Sequence, residues 1–70
     1  MDKIILFFST NYAIWANEVL ESKGVTSSMT SVPRELSSDC GYCIKFNDDK
    51  KKIEKILIDE GIEYDRIVEL

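Results

Sequence analysis

Seventy residues, 44% of them apolar and 31% charged, are expected to form one domain, 1–70, near the lower end of what folds alone. Nine basic against thirteen acidic residues give a net charge of −4, which argues against nucleic acid as a partner, because that binding rests on neutralised phosphates. With no histidine, the commonest general base and metal ligand is missing, and any chemistry falls to Cys, Arg, Ser or carboxylates.

The longest apolar run, Ile4 to Phe8, is too short for a membrane span or a signal-peptide core. No membrane partner is expected, and the chain reads as cytoplasmic, a reducing compartment in which stable disulfides are rare. The same run is aromatic-rich and predicts a buried first strand. Ser9, Thr10 and Asn11 offer N-caps for a helix that continues to about Lys23. Ala13, Ala16, Val19 and Leu20 recur along it at helical spacing, and Gly24 stands where the chain leaves. Val25 to Val32 reads as a second strand, and Ser27, Ser28, Thr30 and Ser31 within it suit an edge.

After a loop, Tyr42, Ile44 and Phe46 alternate with Cys43 and Lys45, a period-2 strand with one apolar face. Asn47 or Asp48 is expected to cap a second helix, with Ile53, Ile56 and Leu57 on its buried side and Gly61 at its end. Lys50 to Lys52, preceded by Asp48 and Asp49, reads as a solvated face of that helix rather than a basic patch. Ile62 to Val68 closes the chain as a last strand.

The order β-α-β-β-α-β predicts an α+β fold, a ferredoxin-like split unit with a four-stranded antiparallel sheet and both helices on one face. The first strand is apolar on both sides. Ile4, Leu6 and Phe8 share one side, and Ile5 and Phe7 share the other. The face without helices therefore needs cover, either from a homodimer through that open face or from the chain's own loop and termini.

The segment Val32 to Cys43, "VPRELSSDCGYC", carries the candidate chemistry. Its loop, Pro33 to Gly41, is longer than the usual hairpin connection, and long loops are more often functional. A Cys40–Cys43 redox pair is one reading, but its second member enters a strand. Extended backbone would hold the two Cα atoms about 10 Å apart, whereas a disulfide needs them within about 7 Å. A zinc site is poorly served, because two cysteines without histidine supply half the ligands, so no metal and no cofactor are expected.

A single working thiol at Cys40 fits the residues better. Gly41 beside it lets a ligand or a partner's backbone approach closely. Arg34 earlier in the loop suits a thiolate or a bound anion, and the Ser37 and Ser38 hydroxyls can donate to the same charge. Asp39 opposes this, because a neighbouring carboxylate raises a thiol's pKa unless it points away to cap the turn. A polar turn with a solvated Arg34 and no chemistry remains the plain alternative. Cys43, pointing opposite to Tyr42 and Ile44, reads as a small, partly buried structural thiol.

The run "VPRELSSDCGYCIKF" resembles the signature of a small family described as putative Se/S carrier protein-like. The opening "ILFFSTNYAIWANEVLESKGV" is similar to that family's first strand, Ser-Thr step, helix and glycine exit. The resemblance implies a compact α/β domain that carries sulfur or selenium as a persulfide or its selenium counterpart. It assigns the carrier role to Cys40 and the supporting loop to Pro33, Arg34, Ser37, Ser38 and Gly41. Cys43 stands where the family pattern has a small apolar residue, which leaves open whether it resolves a persulfide or only packs. The partners implied are sulfurtransferases or selenium-delivery proteins. Two readings from other classes stand beside the carrier: an anion-binding or regulatory module built on Arg34, and thiol–disulfide exchange through Cys40 and Cys43.

Overall fold

A computed structural model of the chain describes residues 2–36 and 41–69. Its elements run β1 (Lys3–Leu6), α1 (Thr10–Ser22), β2 (Ser27–Ser31), β3 (Tyr42–Phe46), α2 (Lys50–Asp59) and β4 (Arg66–Glu69). The four strands form one antiparallel sheet in the order β2-β3-β1-β4. This is the ferredoxin-like α+β arrangement that the alternation of short apolar runs and helical periods predicts.

Both helices end by the same device. After α1, the Gly24 amide donates to the Glu21 carbonyl at 3.0 Å and the Val25 amide to the Leu20 carbonyl at 3.0 Å. After α2, Gly61 donates to Ile58 at 3.1 Å and Ile62 to Leu57 at 2.9 Å. The two glycines sit at φ of 80° and 74°, the left-handed conformation this C-terminal motif demands. In each case the residue after the glycine, Val25 or Ile62, is buried in the same core cluster as the helical leucine whose carbonyl it bonds. These contacts displace the expected strands. β2 begins at Ser27 rather than Val25, and β4 at Arg66 rather than Ile62, because Val25 and Ile62 close helices instead of entering the sheet.

Ser9 caps α1, its side chain accepting from the Tyr12 amide at 3.5 Å. The cap of α2 is Asp49, one residue beyond the expected Asn47 or Asp48, and its carboxylate accepts from Lys51 at 3.1 Å. Asp48 instead accepts from the Asp49 amide at 2.7 Å and pairs with Lys52 at 3.2 Å. Lys50 to Lys52 are exposed on a helix flank, as expected.

Two cores result, one on each face of the sheet. The larger gathers Ile5, Phe7, Ile44 and Phe46 from the strands against Ala13, Ala16 and Leu20 of α1 and Ile53 and Leu57 of α2. The smaller holds Ile4, Leu6 and Cys43, with Val32, Leu36 and Val68 packed against it. Within the chain, Val32 and Leu36 from the loop side and Val68 of the last strand pack over Ile4 and Leu6. Phe8 follows the end of β1 and stays half-exposed, at 51%. Tyr42, assigned by alternation to the apolar face, is 48% exposed. It heads β3 at the loop end, and among the described residues neither core cluster includes it.

Candidate functional site

Val32 leaves β2 and donates to the Gly41 carbonyl at 3.2 Å, which closes the base of the loop beside the start of β3. Just inside that base the chain turns sharply. The Leu36 amide donates to the Pro33 carbonyl at 3.0 Å, a four-residue turn with Arg34 and Glu35 at its two central positions. Leu36 and Val32 are directed onto the smaller core, whereas Arg34 and Glu35 are exposed. The first half of the loop is therefore fastened to the sheet by its apolar residues, with its charged residues facing water.

No hydrogen bond or ion pair joins Arg34 to another described residue. Gly41 is exposed, and its φ lies outside the left-handed region. A Cβ added there meets no atom within 4 Å. Among the described residues, neither backbone geometry nor packing requires glycine at this position, in contrast to Gly24 and Gly61.

Cys43 is fully buried, with 0% of its surface exposed. It lies opposite Leu6 of β1 and Thr30 of β2, and its Sγ donates to the Ser31 carbonyl at 3.7 Å. The side chain belongs to the small far-face core, consistent with the structural thiol that strand alternation predicts. Of the other expected site residues, Gly41 meets Val32 at the loop base and Pro33 and Arg34 lie in the turn just inside it, while Ser37, Ser38 and Cys40 lie outside the described residues. Leu36 is the contributor that the sequence reading missed. A lone large apolar residue in an otherwise polar loop was its signal.

Two clefts lie elsewhere. One, of about 310 Å³, is lined by Asp2, Ser28, Lys45 and Asn47 at the opposite end of the β2–β3 hairpin. The other, of about 370 Å³, lies between the end of α1 and α2, where Lys23, Lys52 and Lys55 meet Asp59 and Glu60. Neither takes a lining residue from the loop. Among the described residues no group of three or more His, Cys, Asp or Glu is placed to hold a metal ion. No helix among them is long and apolar enough to cross a membrane.

The fold is that of a small ferredoxin-like α+β domain, and its β2–β3 connection carries the exposed Arg34 and Gly41. The family model described as "Putative Se/S carrier protein-like" matches residues 2–69, and the chain belongs to that family. No curated protein matches it, and neither does any solved structure.

Proposed function

We propose that this chain is a sulfur or selenium carrier that holds the chalcogen on Cys40 and relays it between partner enzymes. Membership of the Se/S carrier-like family, over residues 2–69, is the observation that carries the reading. Loading consists of attack by the Cys40 thiolate on the terminal sulfur of a donor enzyme's persulfide. The S–S bond of the donor breaks, its cysteine leaves as thiolate, and the terminal sulfur with its negative charge resides on Cys40. Unloading is the same step with an acceptor nucleophile, and Cys40 departs as thiolate. No net oxidation occurs, so the domain acts as a shuttle without a cofactor.

Four loop residues support this reading, two of them among the described ones. Arg34 is exposed and unengaged among the described residues, and a guanidinium stabilises a thiolate or perthiolate. Gly41 immediately follows Cys40 and adds no side chain where two proteins must bring sulfur to sulfur. Ser37 and Ser38 supply further donors in the same loop. The partners are a sulfurtransferase or selenium-delivery enzyme on one side and an acceptor on the other. Incubation with a cysteine desulfurase and cysteine, followed by intact-mass measurement, tests the proposal. A gain of one sulfur atom that disappears in Cys40→Ser is expected. No gain, or an equal gain in Cys40→Ser, overturns it.

A second reading rests on Arg34 alone, with the loop as an anion-binding module and Cys40 incidental. It predicts that Cys40→Ser keeps full anion affinity and Arg34→Ala loses it. Thiol–disulfide exchange through Cys43 is less well served, because that thiol has no solvent exposure.

A further inference from the structure

The sheet has two edges, and the chain treats them differently. β4, at one edge, carries exposed Arg66 and Glu69 within the strand, and Glu63 and Asp65 precede it. Charged side chains on an edge strand are how monomeric sheets discourage pairing with other chains. β2, at the other edge, is Ser27-Ser28-Met29-Thr30-Ser31. It contains no charge and no proline, and its register with β3 runs without a bulge from Ser27↔Phe46 to Ser31↔Tyr42. Ser28, Thr30 and Ser31 are exposed, and β3 is the strand's one neighbour.

The edge is also held in place. The Ser27 hydroxyl donates to Asn17 Oδ1 at 3.3 Å, and Asn17 Nδ2 donates to Glu21 Oε1 at 3.3 Å, tying the start of β2 to α1. A fixed, regular, uncharged strand presenting unpaired backbone groups is a template for strand addition.

We propose that the outer edge of β2 pairs antiparallel with β2 of a second copy of this chain, joining two four-stranded sheets into one. The segment is self-complementary about Met29. A two-fold axis there sets Met29 opposite its equivalent, Ser28 opposite Thr30 and Ser27 opposite Ser31. Every cross-strand pair is then hydroxyl with hydroxyl or methionine with methionine, combinations that antiparallel sheets accept, and no like charges face each other. The proposal is independent of the carrier reading. It also differs from a pair stacked through the helix-free face, where Val32, Leu36 and Val68 already pack over Ile4 and Leu6. A ribbon this short is a small interface, so the association is weak, roughly micromolar to submillimolar. Because each copy carries a net charge of −4, added salt strengthens the association.

Sedimentation equilibrium from about 10 μM to about 1 mM covers that affinity range. Three proteins are compared: the wild type, the double substitution Ser28→Lys/Thr30→Lys, and Ile58→Lys, which alters the most exposed large apolar residue, on α2. The wild type is expected to dimerise, and Ile58→Lys to match it. The double substitution is expected to weaken dimerisation at least about tenfold, because the introduced lysines face each other across the axis. Its far-UV spectrum and denaturation midpoint at low concentration are expected to stay unchanged. Amide exchange provides the second readout, with protection that rises with concentration at β2 and not at β4. A wild type that stays monomeric to about 1 mM overturns the proposal. So does a dimer that survives the double substitution, a dimer lost in Ile58→Lys, or concentration-dependent protection at β4 in place of β2.

Discussion

The Val32 amide and the Gly41 carbonyl, 3.2 Å apart, hold the two ends of the β2–β3 loop together, and of these two residues only Val32 also serves the core. Gly41 contributes its carbonyl and nothing else that the described residues require of a glycine. Gly41→Ala therefore separates fold from function. Stability is expected to hold, or to rise by about 0.4–1 kcal/mol through the stiffer unfolded chain. Transfer of sulfur from a donor enzyme is expected to slow, because a methyl group now stands beside Cys40. Urea denaturation and single-turnover loading are the two measurements. A stability loss beyond about 1 kcal/mol shows that the fold uses the glycine after all. Unchanged loading removes the close-approach role.

Leu36 connects the loop to the buried thiol. Its side chain packs against the cluster that contains Cys43, so truncating it opens one side of that cluster. Leu36→Ala is expected to cost about 1–2 kcal/mol, less than a fully buried leucine because Leu36 is half-exposed. Alkylation of Cys43, followed in a Cys40→Ser background, reports the opening of this layer. It is expected to accelerate by more than the global stability loss alone explains. Equal changes in both quantities show that Cys43 is reached only by global unfolding, with no separate movement of the Pro33–Leu36 turn.

The paired helix exits make a third prediction. At Gly24 and Gly61 an added Cβ meets no atom within 4 Å, so any cost of substitution lies in the positive φ alone. Alanine at either position is expected to destabilise by about 1–2 kcal/mol, and asparagine by less, since it enters the left-handed region more readily. Denaturation midpoints of the four single variants check this ordering. Alanine and asparagine costing the same at both positions contradicts it.

The same exits explain what the sequence revealed and what it hid. Helix ends were legible because they are local. Ser9, Gly24 and Gly61 perform within a few residues the roles their types suggest. The period-2 pattern of Cys43, Ile44, Lys45 and Phe46 translated directly into burial on two faces. The starts of β2 and β4 were not legible. Val25 and Ile62 are β-branched and precede further strand formers, and only the hydrogen bonds to Leu20 and Leu57 reveal that they belong to helix caps. Asn47, Asp48 and Asp49 are three good caps in a row, and propensity cannot choose among them. In the candidate site, Arg34 and Gly41 stand out by residue type alone, and the structure adds their exposure. Leu36 showed only as a lone large apolar residue in a polar loop, and its role depends on a tertiary fact, the helix-free face lying beneath that loop.

Asp48 carries the pH dependence that can be assigned. Its carboxylate accepts from the Asp49 amide at 2.7 Å and from Lys52 Nζ at 3.2 Å. The backbone hydrogen bond, followed by the one from Lys52, holds its pKa below the ordinary 3.8, against a smaller opposing effect of desolvation. A folded-state pKa below the unfolded one means that the folded chain releases this proton more readily. The resulting stability is complete above the unfolded value and is lost as pH falls through the lowered one. Asp48→Asn keeps an oxygen for the Asp49 amide but removes the charge facing Lys52, and so imitates the protonated acid. The wild type is expected to melt higher than Asp48→Asn at neutral pH by a constant margin. That margin is expected to shrink once the pH drops below about 3.8. Thermal melts between about pH 2 and pH 7 check this course, and added salt reduces the margin, because the Lys52 pair is exposed. A margin that persists unchanged at the acid end shows that Asp48 acts through the geometry of the cap and not through its charge.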